Sequence, residues 1–302
     1  MKKSLFRAAL LIVLGLVFVF AALLVRFHVV SLDTVKYQTN THTVSEAFTK
    51  IVIDTGTCDV EVLPTDEAAA SVICHEREKE IHAVTVRDQT LLVQLQDTRA
   101  WYDHISVFDF GAPKITVLLP RATYEALQVT ATTSDVMVKD TTVGELTVST
   151  TAGDVMVKDT TIGELTVSTT TGDIFLEAAA VVGEARLSVT TGEVELRRVT
   201  CGRLTASGTT GDFLLHDVLV AGALRVSSNT GDVTLEACDA ETLYIETSTG
   251  DIEGSLLTEK QFLVTSNTGE IEVPRGTTGG LCEAKTATGD IEFVIKAEKD
   301  RG

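Results

Sequence analysis

The chain has 302 residues, with 43 Asp and Glu against 25 Lys and Arg, a formal net charge of −18, and 44% hydrophobic residues. That apolar content excludes a disordered chain, and the acidic balance argues against a nucleic-acid partner, which needs neutralising Lys and Arg. With 22 Gly, 4 Pro and 1 Trp beside recurrent Val, Leu, Ile and Thr, the composition is that of a β-rich protein.

Residues 1–27 stand apart from the rest. Lys2, Lys3 and Arg7 precede an uncharged run from Ala8 to Val25, which Arg26 closes. As a helix this run would span about 27 Å, close to the hydrocarbon thickness of a bilayer. It predicts one transmembrane signal anchor, with a cytoplasmic N-tip and the bulk of the chain extracytoplasmic, hence a single-pass protein of the cell membrane. A cleaved signal peptide is the rival reading, although Phe20, Ala21, Ala22, Leu23 and Leu24 offer only a poor small-x-small cleavage site. Residues 28–45 have little pattern and read as a stalk or a strand leading into the fold.

Residues 46–125 read as an irregular β lead-in and cap. Apolar residues alternate at Ile51 and Ile53, Val60 and Val62, Val72 and Cys74, Val84 and Val86, then Leu91, Val93 and Leu95, and Ile115, Val117 and Leu119. Alternation of this kind marks strands with one buried face. The charged stretch His75-Glu76-Arg77-Glu78-Lys79-Glu80 reads as a solvated loop or strand edge. Trp101, Tyr102, Phe108 and Phe110 concentrate aromatic residues in 97–112, as a cap over an open end of the fold or as a partner contact.

Residues 126–295 are governed by an internal repeat. Gly153-Asp154, Gly172-Asp173, Gly192-Glu193, Gly211-Asp212, Gly231-Asp232, Gly250-Asp251, Gly269-Glu270 and Gly289-Asp290 recur at steps of 19 or 20 residues. Residues 135–151 repeat as 154–170 with one difference, Val143 against Ile162, the mark of a duplicated module. Each unit holds two alternating runs, such as Val194 and Leu196 followed by Leu204 and Ala206, or Phe213 and Leu215 followed by Leu224 and Val226. So short a unit cannot bury its own apolar face, and neighbours must stack to make the core. The expected fold is all-β, a single-stack β-solenoid of 19–20-residue coils preceded by the transmembrane helix. A run of antiparallel hairpins is the alternative, but unequal hairpin loops would be expected to drift in length. Residues 296–302 form a charged tail able to blunt the far end.

Stacking would set the Gly-Asp and Gly-Glu corners in a ladder along one edge. Their simplest role is turn chemistry, with Gly supplying positive φ and Asp capping backbone. A calcium ladder is the functional alternative, yet one carboxylate per coil is a thin set for an ion that takes six to eight oxygens. Thr169, Thr170 and Thr171, with counterparts at Thr150, Thr151, Thr190, Thr191, Thr209, Thr210, Thr230, Thr249, Thr268 and Thr288, would form a hydroxyl ladder. Such an array can bind an ordered surface, or can simply reflect the strand preference of β-branched residues.

No catalytic constellation emerges. Asp54-Thr55-Gly56-Thr57 resembles an aspartic-protease turn, but a second Asp-Thr-Gly is missing and the position mimics the repeat corners. There is no nucleophile elbow, phosphate-cradling loop or His-Glu-x-x-His helix. Cys58, Cys74, Cys201, Cys238 and Cys282 lack metal-ligand spacing and read as small buried hydrophobes. The expectation is no enzyme, no cofactor, no metal and no small-molecule substrate.

Taken together, the Ile51 to Val62 opening, the Lys114-Ile115-Thr116-Val117-Leu118-Leu119-Pro120 segment and units such as Ser228-Asn229-Thr230-Gly231-Asp232-Val233 resemble the bacterial putative-adhesin β-solenoid family, a domain of unknown function. The resemblance covers residues 46–295. It implies a surface or envelope protein, mainly of Gram-positive bacteria, with relatives linked to envelope-stress systems and with no catalytic residues to carry over. The expected function is a membrane-anchored envelope scaffold or adhesin-like binding module whose partner is an envelope protein or wall component. The alternative is an accessory or sensor of an envelope-stress system, working through a membrane protein partner at the 97–112 aromatics.

Overall fold

The computed structural model describes residues 36–78, 80–97 and 112–296, with Asp97 in backbone only. Every regular element among them is a β-strand, and none is a helix long and apolar enough to cross a membrane. The signal-anchor run and residues 297–302 of the charged tail lie outside the described residues.

In the central repeats a four-residue strand is followed by a sharp turn and a longer strand. Val155–Lys158 leads to Thr161–Thr171, Ile174–Glu177 to Ala180–Thr191, and Val194–Arg197 to Thr200–Thr210. The short strands stack in parallel as one sheet and the long strands as a second. Equivalent residues superpose, so that Val155 lies beside Ile174, which lies beside Val194. The result is a β-solenoid of about eight turns.

The core lies between the two sheets and is built from columns. Val136, Val155, Ile174, Val194, Phe213, Val233, Ile252 and Ile291 form one column, each at most 1% exposed. Leu146, Leu165, Ala185, Leu204, Leu224, Leu243 and Cys282 form one on the other sheet, again at most 1% exposed. Where a column takes a large residue, a neighbour shrinks. A Cβ on Gly208 would stand 2.9 Å from the Phe213 ring, and one on Gly254 would stand 2.3 Å from that of Phe293. Interiors packed at crystal density leave no slack for either. All five cysteines are free and buried within this packing. Burial pushes the Cys58 thiol up to about 11, and those of Cys74, Cys201, Cys238 and Cys282 up to about 12, which leaves little reactive thiolate at neutral pH.

The lead-in strands join the same stack, with Ile51, Ile53, Val60, Val62, Leu91, Val93, Ile115 and Val117 all buried. Their order in space departs from their order in sequence. Lys50–Asp54 lies between Thr90–Asp97 and Thr123–Thr130, and Asp59–Thr65 lies between Lys114–Pro120 and Val136–Lys139. The far end repeats the manoeuvre. Gly280–Thr288 pairs with both Val233–Thr249 and Lys260–Thr268, while Ile291–Ile295 pairs with both Ile252–Leu256 and Ile271–Glu272. The first coil and the last are thus each tucked one place inside the stack, with pairing partners on both sides. At the N-terminal end the strands turn antiparallel. Ala70–Arg77 bridges Lys114–Pro120 and Tyr37–Val44, and Glu80–Arg87 pairs with Thr90–Asp97. These antiparallel strands close that edge of the solenoid.

Candidate binding surface

The Gly-Asp corners form a ladder along one edge, held together differently from the sequence expectation. Each Asp caps the next coil instead of its own turn. The main-chain N–H of Asp154 donates to Asp135 Oδ1, that of Asp173 to Asp154, that of Asp232 to Asp212, that of Asp251 to Asp232 and that of Asp290 to Asp251, all at 2.8 Å. Asp59 starts the series by accepting from Asp135 N–H at 3.0 Å, and Glu270 closes it by donating to Asp290 at 2.7 Å. A charge-assisted hydrogen bond in each of these steps offsets the repulsion between stacked carboxylates. Gly153, Gly172, Gly192, Gly211, Gly231, Gly250, Gly269 and Gly289 all take positive φ at this corner. Buried threonines stitch it from inside, as Thr169 donates to Gly153 O at 3.3 Å and Thr247 to Gly231 O at 3.2 Å. Among the described residues no three His, Cys, Asp or Glu side chains converge as a metal site.

Glu193 is the exception inside the stack. It donates its own N–H to Asp173 at 2.7 Å, but its longer side chain makes no described hydrogen bond to Asp212 N–H. Burial, followed by the charges of Glu195, Asp173 and Asp212, raises its carboxyl above the usual range. Replacing Glu193 by Asp should supply the missing cap and stabilise the fold by about 1 kcal/mol, read as a higher midpoint in urea unfolding. An unchanged or lower midpoint would mean that the corner does not need the bond.

The charged 75–80 stretch, expected as a solvated loop or strand edge, lies largely in strands, with His75 and Glu78 exposed but two carboxylates buried. Glu76 continues the inward alternation of Val72 and Cys74 on the strand Ala70–Arg77 and is 0% exposed, while Glu80 and His82 are 3% and 1% exposed. Glu76 Oε2 accepts from the His82 main-chain N–H at 2.7 Å and lies 2.8 Å from His82 Nδ1, and its Oε1 accepts from Asn40 Nδ2 at 2.8 Å. With Nδ1 donating to the carboxylate, Nε2 faces the Thr55 hydroxyl at 3.1 Å. The hydroxyl, imidazole and carboxylate line up as in an activated nucleophile. Thr55 is only 3% exposed, however, and the arrangement satisfies a buried carboxylate. Thr55 belongs to the protease-like Asp-Thr-Gly of the sequence, and Cys58-Asp59 takes the place of the later Gly-Asp pairs.

A groove of about 890 Å³ lies on the other corner, lined by Val181, Val182, Cys201, Leu219, Val220 and Asp239 among others. It opens where the long strands shift register, between Val181 and Glu184, Cys201 and Leu204, and Val220 and Ala223. These bulges follow a column of small residues that includes Gly183, Gly202 and Gly222, and they turn apolar side chains outward. Val182 is 77% exposed and Leu219 is 43% exposed. Lys260 closes one end, its Nζ held by Asp239 at 2.7 Å and by the Ala240 carbonyl at 2.8 Å. The groove offers apolar contact beside acidic groups, a surface for binding. Sequence reading missed it, because no single unit shows a register shift. Trp101, Tyr102, Phe108 and Phe110, the predicted partner contact, lie outside the described residues.

A parallel two-sheet solenoid with Gly-Asp corners defines a class of repeat protein. The Toastrack DUF4097 family model matches residues 48–239 and 218–301, and the chain belongs to that family. A putative adhesin from Bacteroides fragilis is similar in structure, with a TM-score of 0.51 at 18% identity over 86% of this chain and 97% of that one. Another, from Parabacteroides distasonis, gives a TM-score of 0.53 at 13% identity with the same coverage. At these identities the likeness is one of fold. No curated protein matches the sequence.

Proposed function

We propose that the chain is a non-catalytic, adhesin-like binding module of the bacterial envelope. Residues 1–27 tether it as a single-pass anchor, and the solenoid stands outside the cytoplasm beside an envelope protein or wall component. The observation that carries the reading is the groove. It displays Val182 and Leu219 on a stack whose backbone is paired from coil to coil, so a partner meets a surface already ordered and little entropy is lost on binding. Membership of the Toastrack family and the basic residues that precede Ala8 favour this location.

The test is photocrosslinking in cells, with the crosslinker placed at Leu219 in the groove and, as control, at exposed Lys139 on the short-strand sheet. Discrete adducts with membrane or wall material from Leu219 alone are expected. Adducts with cytoplasmic proteins, or the same adducts from both positions, would overturn the reading.

A further inference from the structure

The two ends of the solenoid are finished differently. At the C-terminal end the outermost coil is Lys260–Thr268 with Ile271–Glu272, and each strand is paired on one side only among the described residues. Its core columns are laid open. Ile271 lies in register with Ile291, which is 1% exposed, yet Ile271 is 45% exposed. Phe262 and Val264 stack on fully buried Cys282 and Ala284 but are themselves only half-buried.

This edge is protected unevenly. An open strand is normally guarded by charges, proline or inward-pointing polar groups. In the short-strand sheet the edge ends after two residues at Glu272, with Pro274 just beyond. In the long-strand sheet the edge strand opens with Lys260, buried against Asp239, and from Gln261 to Thr268 carries no charge in a chain of net charge −18. The N-terminal end, by contrast, carries inward Glu76 and Glu80 beneath antiparallel strands.

We infer that this coil is the contact surface for a second copy of the chain, the two solenoids meeting end to end about a twofold axis. An axis normal to the sheets and passing near Val264 sets the two Lys260–Thr268 strands antiparallel. It keeps inward residues facing inward, so Phe262, Val264 and Ile271 of each copy close the core of the other. A lone extended peptide would pair with the long-strand edge but leave Ile271 uncovered. Another copy of the same coil presents both sheet edges at the matching separation, and its strand, uncharged from Gln261 to Thr268, brings no local repulsion there. One coil's end is small beside the about 1,600 Å² of a standard interface, so the dimer is weak. The net charge opposes it at long range, so added salt strengthens it.

Sedimentation velocity of the full-length chain in mild detergent, across the micromolar range and at low and high salt, reads this directly. A monomer–dimer equilibrium that tightens with salt is expected. Leu263 and Thr265 point outward and sit opposite one another across the axis, so the double variant Leu263→Lys, Thr265→Lys should weaken association about tenfold with an unchanged circular dichroism melt. The pair Leu263→Cys, Thr265→Cys should give a disulfide-linked dimer on oxidation, since the native cysteines are all buried. A strictly monomeric chain, an open series of polymers, or a dimer that is insensitive to the lysines and not trapped by the cysteines would each overturn the inference.

Discussion

Replacing Gly211 by alanine should cost on the order of 4 kcal/mol or more, at the upper end of what single substitutions do. Two causes coincide at this residue. Its φ is +136°, in a region that L side chains rarely adopt. A Cβ there would also stand 1.8 Å from the carbonyl oxygen of Gly192 in the preceding coil. That atom is backbone inside a paired sheet and cannot step aside without breaking neighbouring bonds. Gly222 is the control, since its φ is not strained and its added Cβ would meet Gly202 O at 3.1 Å. Urea unfolding should therefore separate the two variants by several kcal/mol, with Gly222→Ala the milder. Because each coil touches only its neighbours, hydrogen exchange in Gly211→Ala should rise first between residues 192 and 232. Equal losses in the two variants would show that the corner tolerates a side chain.

Glu76→Ala should be nearly as damaging, with a loss of about 3–5 kcal/mol. The substitution leaves the His82 main-chain N–H, His82 Nδ1 and Asn40 Nδ2 without the acceptor they share, and burial keeps water from replacing it. Glu76→Gln preserves an acceptor oxygen and the side-chain shape, so it should lose less. The N-terminal end depends on this network, because Glu76 and His82 come from two strands of that region and Thr55 follows a third, Lys50–Asp54. Thermal and urea unfolding of the two variants would check the order. An alanine variant as stable as the parent would mean that the cluster is dispensable.

The repeated middle of the fold is legible in the sequence because one pattern is written many times. The step of 19 or 20 residues, the glycine at each corner and the paired alternations lead directly to stacked columns such as Leu146, Leu165 and Leu204. The ends are not legible. Pairing of parallel strands leaves no mark of which coil lies beside which, and Phe262 and Val264 suit an inner position as well as Cys282 and Ala284 do. Glu76 was obscured for a different reason. Its charge argues for solvent while its place in the alternation argues for the core, and the hydrogen bonds that decide the matter come from Asn40 and His82, distant in sequence or set by another strand. The groove is hidden because it comes from register shifts between neighbours, a relation that exists only after stacking.

The duplicated unit has a kinetic meaning that the tucked ends resolve. Residues 135–151 and 154–170 differ only at Val143 and Ile162, and their long strands lie side by side in register, Leu146 on Leu165 and Val148 on Val167. During folding a neighbouring coil meets nearly the same local contacts on either copy, so a slip of one whole coil is resisted by the copy it leaves unpaired and not by the contacts it makes. Such degeneracy of local contacts arises in a topology already slow to close its distant contacts. The misalignment is further penalised at the ends. There Asp59 must find Asp135, and Gly280–Thr288 must enter between two strands already chosen. The interleaved coils therefore act as stops on a vernier, rejecting a shifted alignment that the repeats themselves cannot distinguish.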